Sequence, residues 1–285
     1  MPSNVLNDTN RSSINMYLQS DNATIDNGES NKTFLFQNAI EPLPDQDILV
    51  GLTDFEMANT LYNINTGFNT IVIDNQTITL TPKNYTIDFL ILELNDLFET
   101  NTNLKAKNMA VSYDINSFKL TFTADSNFII NSSTMEFELG LENQLPTNAA
   151  TSYETNNTIF LGGLSSVYIE VKNLSLNNLD SRGPIDNTLA KINMRKNNGY
   201  YTFYDAPEHN FFKVNNREIH SIDLVLTDSK NRELILNGGE FSLTLTFHFI
   251  KKRQDIFDLK YYLKKDLIIS DREKRENERK NIIEE

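Results

Sequence analysis

Short β-rich runs separated by turn residues fill roughly the first 250 positions, and no other feature narrows the possible folds as much. Thr33–Asn38, Ile48–Thr53, Asn69–Leu80, Phe118–Thr123, Ser166–Val171, Ser221–Thr227 and Phe241–Ile250 are such runs, with Asn, Asp, Thr, Ser and Gly between them. Runs of this length and spacing predict an antiparallel sandwich or barrel. The clearest is the last. Phe241, Leu243, Leu245, Phe247 and Phe249 alternate with Ser242, Thr244, Thr246 and His248. Period-two alternation predicts a strand with one buried face, and a one-residue slip would turn all the large apolar groups to water.

Composition bears on which functions remain open. With 18 Phe and 11 Tyr there is ample material for a core, and zero Cys excludes disulfides, zinc–thiolate sites and thiol catalysis. The net charge of −13 argues against a general nucleic-acid binder, which needs clustered Lys and Arg to neutralise phosphates. That charge is uneven. The tail from Lys251 to Glu285 holds 11 basic and 9 acidic residues, which leaves 15 basic and 30 acidic in the body. Met1–Asn10 is polar, without an apolar signal core, and no stretch approaches the ~20 apolar residues of a membrane-spanning helix. The sequons at Asn31 and Asn84 matter only for a secreted chain.

Three segments follow from this reading. Residues 1–31, rich in Asn, Ser and Asp, are expected to be a flexible arm with one short strand over Ile14–Leu18. Residues 32–250 are the ordered β domain, and residues 251–285 an amphipathic, charged tail. In the body, Thr86 offers a helix cap, and Ile87, Leu90, Ile91, Leu94, Leu97 and Phe98 recur at helical spacing. These predict a helix over Ile87–Thr100 that lids an open end of the sandwich. Asp74-Asn75-Gln76-Thr77 is read as a hairpin turn or a bulge in one long strand, Thr134–Leu141 as a short helical turn, and Asn148–Asn157 as a polar loop. In the tail, Ile256, Leu259, Leu263 and Leu267 predict an amphipathic helix that needs a surface to cover its leucines.

Residues capable of chemistry are present but scattered. His209, His220 and His248 lack metal-ligand spacing and any neighbouring Ser nucleophile motif. Asp45 with Asp47, and Asp54 with Glu56, are paired acids of the kind used by glycosidases or calcium sites, but they belong to no recognisable loop and read as solvated surface. Gly162-Gly163 and Gly238-Gly239 lack the Lys and helix start of a phosphate loop and read as turns or bulges. Gly199-Tyr200-Tyr201-Thr202-Phe203-Tyr204 has aromatics on both faces of a strand, suited to core packing plus a subunit contact, or to stacking on sugars. The reading is of a protein that is not an enzyme and needs no cofactor or metal.

Several segments together resemble a known family. They are Asp47-Ile48-Leu49-Val50-Gly51-Leu52, then Asn59-Thr60-Leu61-Tyr62-Asn63-Ile64, the helix entry Pro82-Lys83-Asn84-Tyr85-Thr86, Leu139-Gly140-Leu141, and the closing pair Ile219–Thr227 and Gly239–Phe249. Their order is similar to that of the penton, or minor capsid, proteins of virophages, polinton-like viruses and related large DNA viruses. There an early strand and a Tyr-Asn-Ile element precede a Gly-Tyr or Asn-Tyr turn into a helix, and Leu-Gly-Phe follows a meander. The resemblance spans roughly Lys32 to Lys251, with Tyr62-Asn63-Ile64 carrying most weight. Asn84-Tyr85 stands where Gly-Tyr is usual, Leu141 replaces an aromatic, and the charged tail has no counterpart in the pattern.

The resemblance implies an all-β fold, a single jelly-roll sandwich of two antiparallel sheets, to which the residue spacing adds one or two short helices and a helical, charged C-terminal tail. It implies a virion protein made in the host cytoplasm or virus factory, forming homopentamers at capsid vertices beside the major capsid protein and other minor capsid proteins. It has no direct nucleic-acid specificity and no membrane span. Candidate subunit or shell contacts are Tyr62, Asn63, Ile64, Tyr200, Tyr201, Tyr204, Lys251, Lys252, Arg253, Leu259 and Leu263. The alternatives are a cement or minor protein beneath the major capsid shell and a carbohydrate-binding β-sandwich for host attachment.

Overall fold

A computed structural model describes residues 13–176, 187–194, 200–206 and 210–252. Within them the chain forms β1 (Ser13–Gln19), β2 (Ile25–Gly28), β3 (Asn31–Ile40), β4 (Gln46–Ala58), β5 (Thr70–Ile73), β6 (Gln76–Thr79), α1 (Ile87–Thr100), α2 (Thr102–Lys105), β7 (Ala110–Asp114), β8 (Lys119–Phe128), β9 (Ile130–Ser133), β10 (Ala150–Glu154), β11 (Ser166–Val171), β12 (Thr188–Asn193), β13 (Tyr201–Asp205), β14 (Phe212–Val214), β15 (Ile219–Thr227) and β16 (Phe241–Lys251).

Two five-stranded sheets form the main body. One runs β1-β16-β4-β13, with β14 also on β4, and the other runs β12-β11-β15-β3-β2. All the pairings are antiparallel. Since β13 and β14 follow one another along β4, they count as one interrupted strand. Numbering β1, β3, β4, β11, β12, β13–β14, β15 and β16 from first to eighth gives sheet orders 1-8-3-6 and 2-7-4-5. This is the interleaved double Greek key of a jelly roll. The fold is an all-β sandwich.

The alternating strand behaves as its pattern predicts. Phe241, Leu243, Leu245 and Phe247 are buried in the core between the sheets, against Val50, Leu52, Phe55 and Met57 of β4. Register shifts between Thr244 and Leu245, where Thr244 faces Asp54 and Leu245 faces Leu52. The extra residue, Thr53, is a β-bulge that keeps Leu52 and Phe55 on the same inward face. Facing sheet residues Ile169, Ile222, Leu224 and Leu226 complete this core.

The expectation of a flexible arm across residues 1–31 is corrected for the described part. Ser13–Gln19 is a strand paired along β16 from His248 to Ser242, and its Leu18 is buried in the sandwich core with Ile14 and Met16 packed against it. The jelly roll therefore begins near Ser13. The short strand expected over Ile14–Leu18 is there, but its alternating Ile14, Met16 and Leu18 face the sandwich core, which the Asn- and Ser-rich surroundings did not reveal.

The body between β4 and β11 carries a long insertion with its own core. Two three-stranded sheets, β10-β8-β7 and β6-β5-β9, pack with α1 and α2 around a second hydrophobic cluster that includes Ile71, Ile73, Leu90, Leu94, Phe98, Phe122 and Ile130. Helix α1 spans the predicted residues, and Thr86 Oγ1 accepts from the Phe89 amide at its N-terminus. Its buried face, Leu90, Leu94 and Phe98, belongs to this second core and is no lid on the sandwich. Sequence periodicity identifies an apolar face but not the layer that covers it.

Turn chemistry explains how so many short strands connect. Asp74 and Asn75 have φ of 49° and 61° and join β5 to β6 as a two-residue hairpin loop, the primed geometry that matches strand twist. Asn108, Asn143, Asn231 and Asn237 also adopt positive φ, which Asn tolerates better than other non-glycine residues. The polar loop expected over Asn148–Asn157 contains β10, paired with β8.

Candidate interface and cleft

The residues that carry the family resemblance meet inside the insertion. Asn63 donates from Nδ2 to the carbonyls of Tyr85 at 2.9 Å and Leu161 at 3.0 Å. Its Oδ1 accepts from the Tyr85 amide at 2.8 Å, and its own amide donates to Asn84 Oδ1 at 3.0 Å. One side chain thus ties the entry of the insertion, its helix approach and its exit. Ile64 is fully buried in the second core, with its backbone bridged to Lys83. Asn63 and Ile64 thus build this junction: Ile64 is fully buried, and Asn63 is half-buried with its carboxamide engaged in internal hydrogen bonds. Tyr62 is 39% exposed.

Two glycines of the same segments have steric reasons. A Cβ at Gly51 would sit 2.6 Å from the Phe211 ring, which rests on the outer face of β4 and meets His248 edge-on with ring centroids 4.5 Å apart. Gly140 has φ of 73°, and a Cβ there would lie 2.4 Å from the Asn157 carbonyl. Leu139 and Leu141 beside it are fully buried.

The aromatic strand β13 divides by face. Tyr201 and Phe203 point outward, 53% and 64% exposed, with rings 6.1 Å apart, and Tyr200 beside them is 63% exposed. Tyr204 is half-buried and packs against the sandwich core, on the opposite face from Tyr201, while Phe203 joins the exposed strip. Period-two alternation from Tyr201 onward was the signal that separates them. Across from Phe203 and Asp205 on β4 lie Glu56 and Asp54. The strip is thus apolar rings bordered by acids at the edge of a sheet.

At the far end of β16 the chain leaves the sandwich. Lys251 faces Gln46. Lys252 donates from its amide to the Asp45 carbonyl at 2.7 Å and from Nζ to the Pro44 carbonyl at 2.9 Å. Asp47 pairs with Lys213 at 2.8 Å. Arg253, Leu259, Leu263 and the helix expected in the tail lie outside the described residues, as does His209. His220 is exposed beside Glu218. Among the described residues no group of three or more acids and histidines is placed to hold a metal, and no helix is long and apolar enough to cross a membrane.

Sequence reading missed a cleft where the β15–β16 connection meets the insertion. The connection is organised by Asp228, whose Oδ1 accepts from the amides of Lys230 and Arg232 at 2.7 and 2.9 Å. Arg232 donates from Nε to Asp228 Oδ2 at 2.7 Å and from Nη2 to Glu138 Oε1 at 2.9 Å, and lies over the Phe68 ring at 4.7 Å. Burial works to lower the guanidinium pKa, but Glu138 and Asp228 together hold it above its ordinary value. Lys230 pairs with Glu142 at 2.5 Å and lies over Phe137. Asn65 Nδ2 donates to the Ile235 carbonyl at 3.1 Å. These contacts join sandwich and insertion. Tyr62, Phe137 and Phe160 line the same cleft. No local sequence pattern announces it, since its walls come from four separate segments.

Comparison with known proteins adds little weight. No family model and no curated protein matches the chain. Among solved structures, the crystal structure of the mavirus penton protein is similar at 13% sequence identity and a TM-score of 0.41, across 84% of this chain and all of that one. The jelly-roll assignment stands on the strand order and antiparallel pairing described above.

Proposed function

We propose that this chain is a structural virion protein: a penton, or minor capsid, protein that forms homopentamers at icosahedral vertices beside the major capsid protein. The observation that carries this reading is the fate of the resemblance-bearing residues. Tyr62-Asn63-Ile64 and Asn84-Tyr85 lie far apart in sequence, yet they interlock through Asn63 at the root of an insertion on a jelly roll. A motif pair that builds one junction supports a shared architecture better than scattered similarity does. The exposed rings of Tyr200, Tyr201 and Phe203 at a sheet edge suit a contact with a second copy, since aromatic groups are enriched at the centre of protein interfaces. A ring of five would use head-to-tail contacts that close by rotation. The work is burial of surface, without a chemical step.

Native mass spectrometry tests it. A pentamer gives a mass five times 32.7 kDa. A chain that stays monomeric at high concentration and binds preformed shells supports the cement reading instead.

A further inference from the structure

We propose that the groove at the end of the sandwich, where β16 runs out, is the seat of this chain's own C-terminal segment, with Ile256 and Leu259 lying against Leu43. The groove has a volume of about 620 Å³ and is walled by the β3–β4 and β14–β15 connections. Lys252, the last residue described, is part of its wall. The Lys252 amide and Nζ are tied to the carbonyls of Asp45 and Pro44 at 2.7 and 2.9 Å. The chain therefore leaves the sandwich at the groove itself, with residues 253–285 to follow. Ile256 is four residues further on, within about 14 Å of Lys252 even for a fully extended chain.

The walls match that segment in two ways. Pro42, Leu43 and Pro44 give an apolar rim, on which Leu43 is 48% exposed. The rim is preset. The Leu43 amide donates to Gln46 Oε1 at 3.2 Å, its carbonyl accepts from the Gln46 amide at 2.9 Å, and a proline on each side fixes the backbone. Ile256 and Leu259, three residues apart, fall on one face of the helix that the sequence predicts. A short amphipathic helix is marginal until its apolar face is covered, and the contact covers Leu43 in return. Charge agrees. The groove carries Glu41, Asp47 and Glu218 against Lys213, Arg217 and Lys252, a balance with no pull on a nucleic acid or other polyion. Residues 253–260 are balanced as well, with Arg253 and Lys260 against Asp255 and Asp258. Because the segment is joined to the groove wall, its docking is intramolecular and prevails over the same segment of another copy.

Such docking occurs in a monomer and a pentamer alike, so native mass reads the assembly and crosslinking within one chain reads the groove. The absence of Cys makes disulfide trapping in the full chain clean. Leu43→Cys with Ile256→Cys, oxidised at micromolar concentration, is expected to form an intrachain disulfide, seen as the mass of one chain and as the linked peptide after trypsin. Leu43→Cys with Asp258→Cys, on the opposite side of the expected helix, is expected to link about tenfold more slowly or worse. Leu43→Glu, at an exposed position, is expected to keep the circular dichroism of the fold and to speed trypsin cleavage after Lys260 and Lys264 about fivefold or more. A link formed only between chains moves the segment to a neighbour and overturns the proposal. So do the absence of any link, equal linking rates from Ile256 and Asp258, or cleavage that Leu43→Glu leaves unchanged.

Discussion

Asn63 and Tyr85 hold one another by two hydrogen bonds: the Asn63 Oδ1 accepts from the Tyr85 amide at 2.8 Å and its Nδ2 donates to the Tyr85 carbonyl at 2.9 Å. An asparagine carboxamide here completes a backbone pairing that no strand supplies. The same nitrogen reaches Leu161 at the other end of the insertion, so one residue closes a loop of nearly a hundred residues. Asn63→Ala leaves these backbone groups without partners, and unsatisfied buried groups cost roughly 1–3 kcal/mol each. We expect a fall of about 2–4 kcal/mol in unfolding free energy by urea titration. A change below about 0.5 kcal/mol would remove Asn63 from this role.

Removing residues 1–19 deletes β1 and bares one edge of β16 together with the side chains that Ile14, Met16 and Leu18 cover. Burial of apolar side chains at about 1.5–3 kcal/mol each puts the loss on the order of 5 kcal/mol. We expect aggregation or loss of the cooperative melt. A truncated chain that melts like the full one would restore the arm reading.

Gly51 and Phe211 form a steric pair. Gly51→Ala drives a methyl group into the Phe211 ring and toward the Asn210 carbonyl, and overpacking of this kind costs about 1–3 kcal/mol. In Gly51→Ala with Phe211→Ala, the two penalties should add to less than their sum, with a coupling of about 1 kcal/mol in a double-mutant cycle. Simple additivity would separate the two residues.

Glu93 makes stability depend on acid pH. Burial acts to raise its pKa, but Lys83 and the Thr81 amide outweigh it and hold the carboxylate down from 4.5 to about 2. A depressed carboxylate pKa contributes stability that is complete above about pH 4.5 and is lost as pH falls toward 2. With allowance for screening, the contribution is about 2 kcal/mol. Glu93→Gln should therefore be less stable than wild type at pH 7, and the gap should narrow by pH 2.5. A constant gap across that range would locate the effect elsewhere.

The exposed strip of β13 tests assembly without disturbing the fold. Tyr201→Ser with Phe203→Ser changes two outward rings, more than half exposed. If these rings are a subunit contact of the proposed pentamer, the oligomer fraction should fall about tenfold or more by native mass spectrometry while the melting temperature of the monomer changes little. An unchanged oligomer distribution would move the contact off this strip.

Local patterns were legible where a single period or turn residue suffices. Helix α1 was readable from 3.6-residue spacing and the Thr86 cap, and β16 from strict alternation. The strip of β13 was half readable: its aromatics were evident, but assigning Tyr204 inward and Phe203 outward needed the strand start at Tyr201. Asn63 was singled out as part of a motif, yet its partners lie 22 and 98 residues away, and no local rule reports a contact at that distance.

The sequence by itself determined the β class, the principal helix, the Asp74-Asn75 turn and the apolar face of the clearly alternating strand β16, because these depend on neighbours a few residues apart. Tertiary structure alone decided that Ser13–Gln19 is the first jelly-roll strand, that α1 serves a second core, and that Glu138 and Arg232 meet across a cleft. Each of these rests on which distant surface covers a given face, and a local period leaves that choice open.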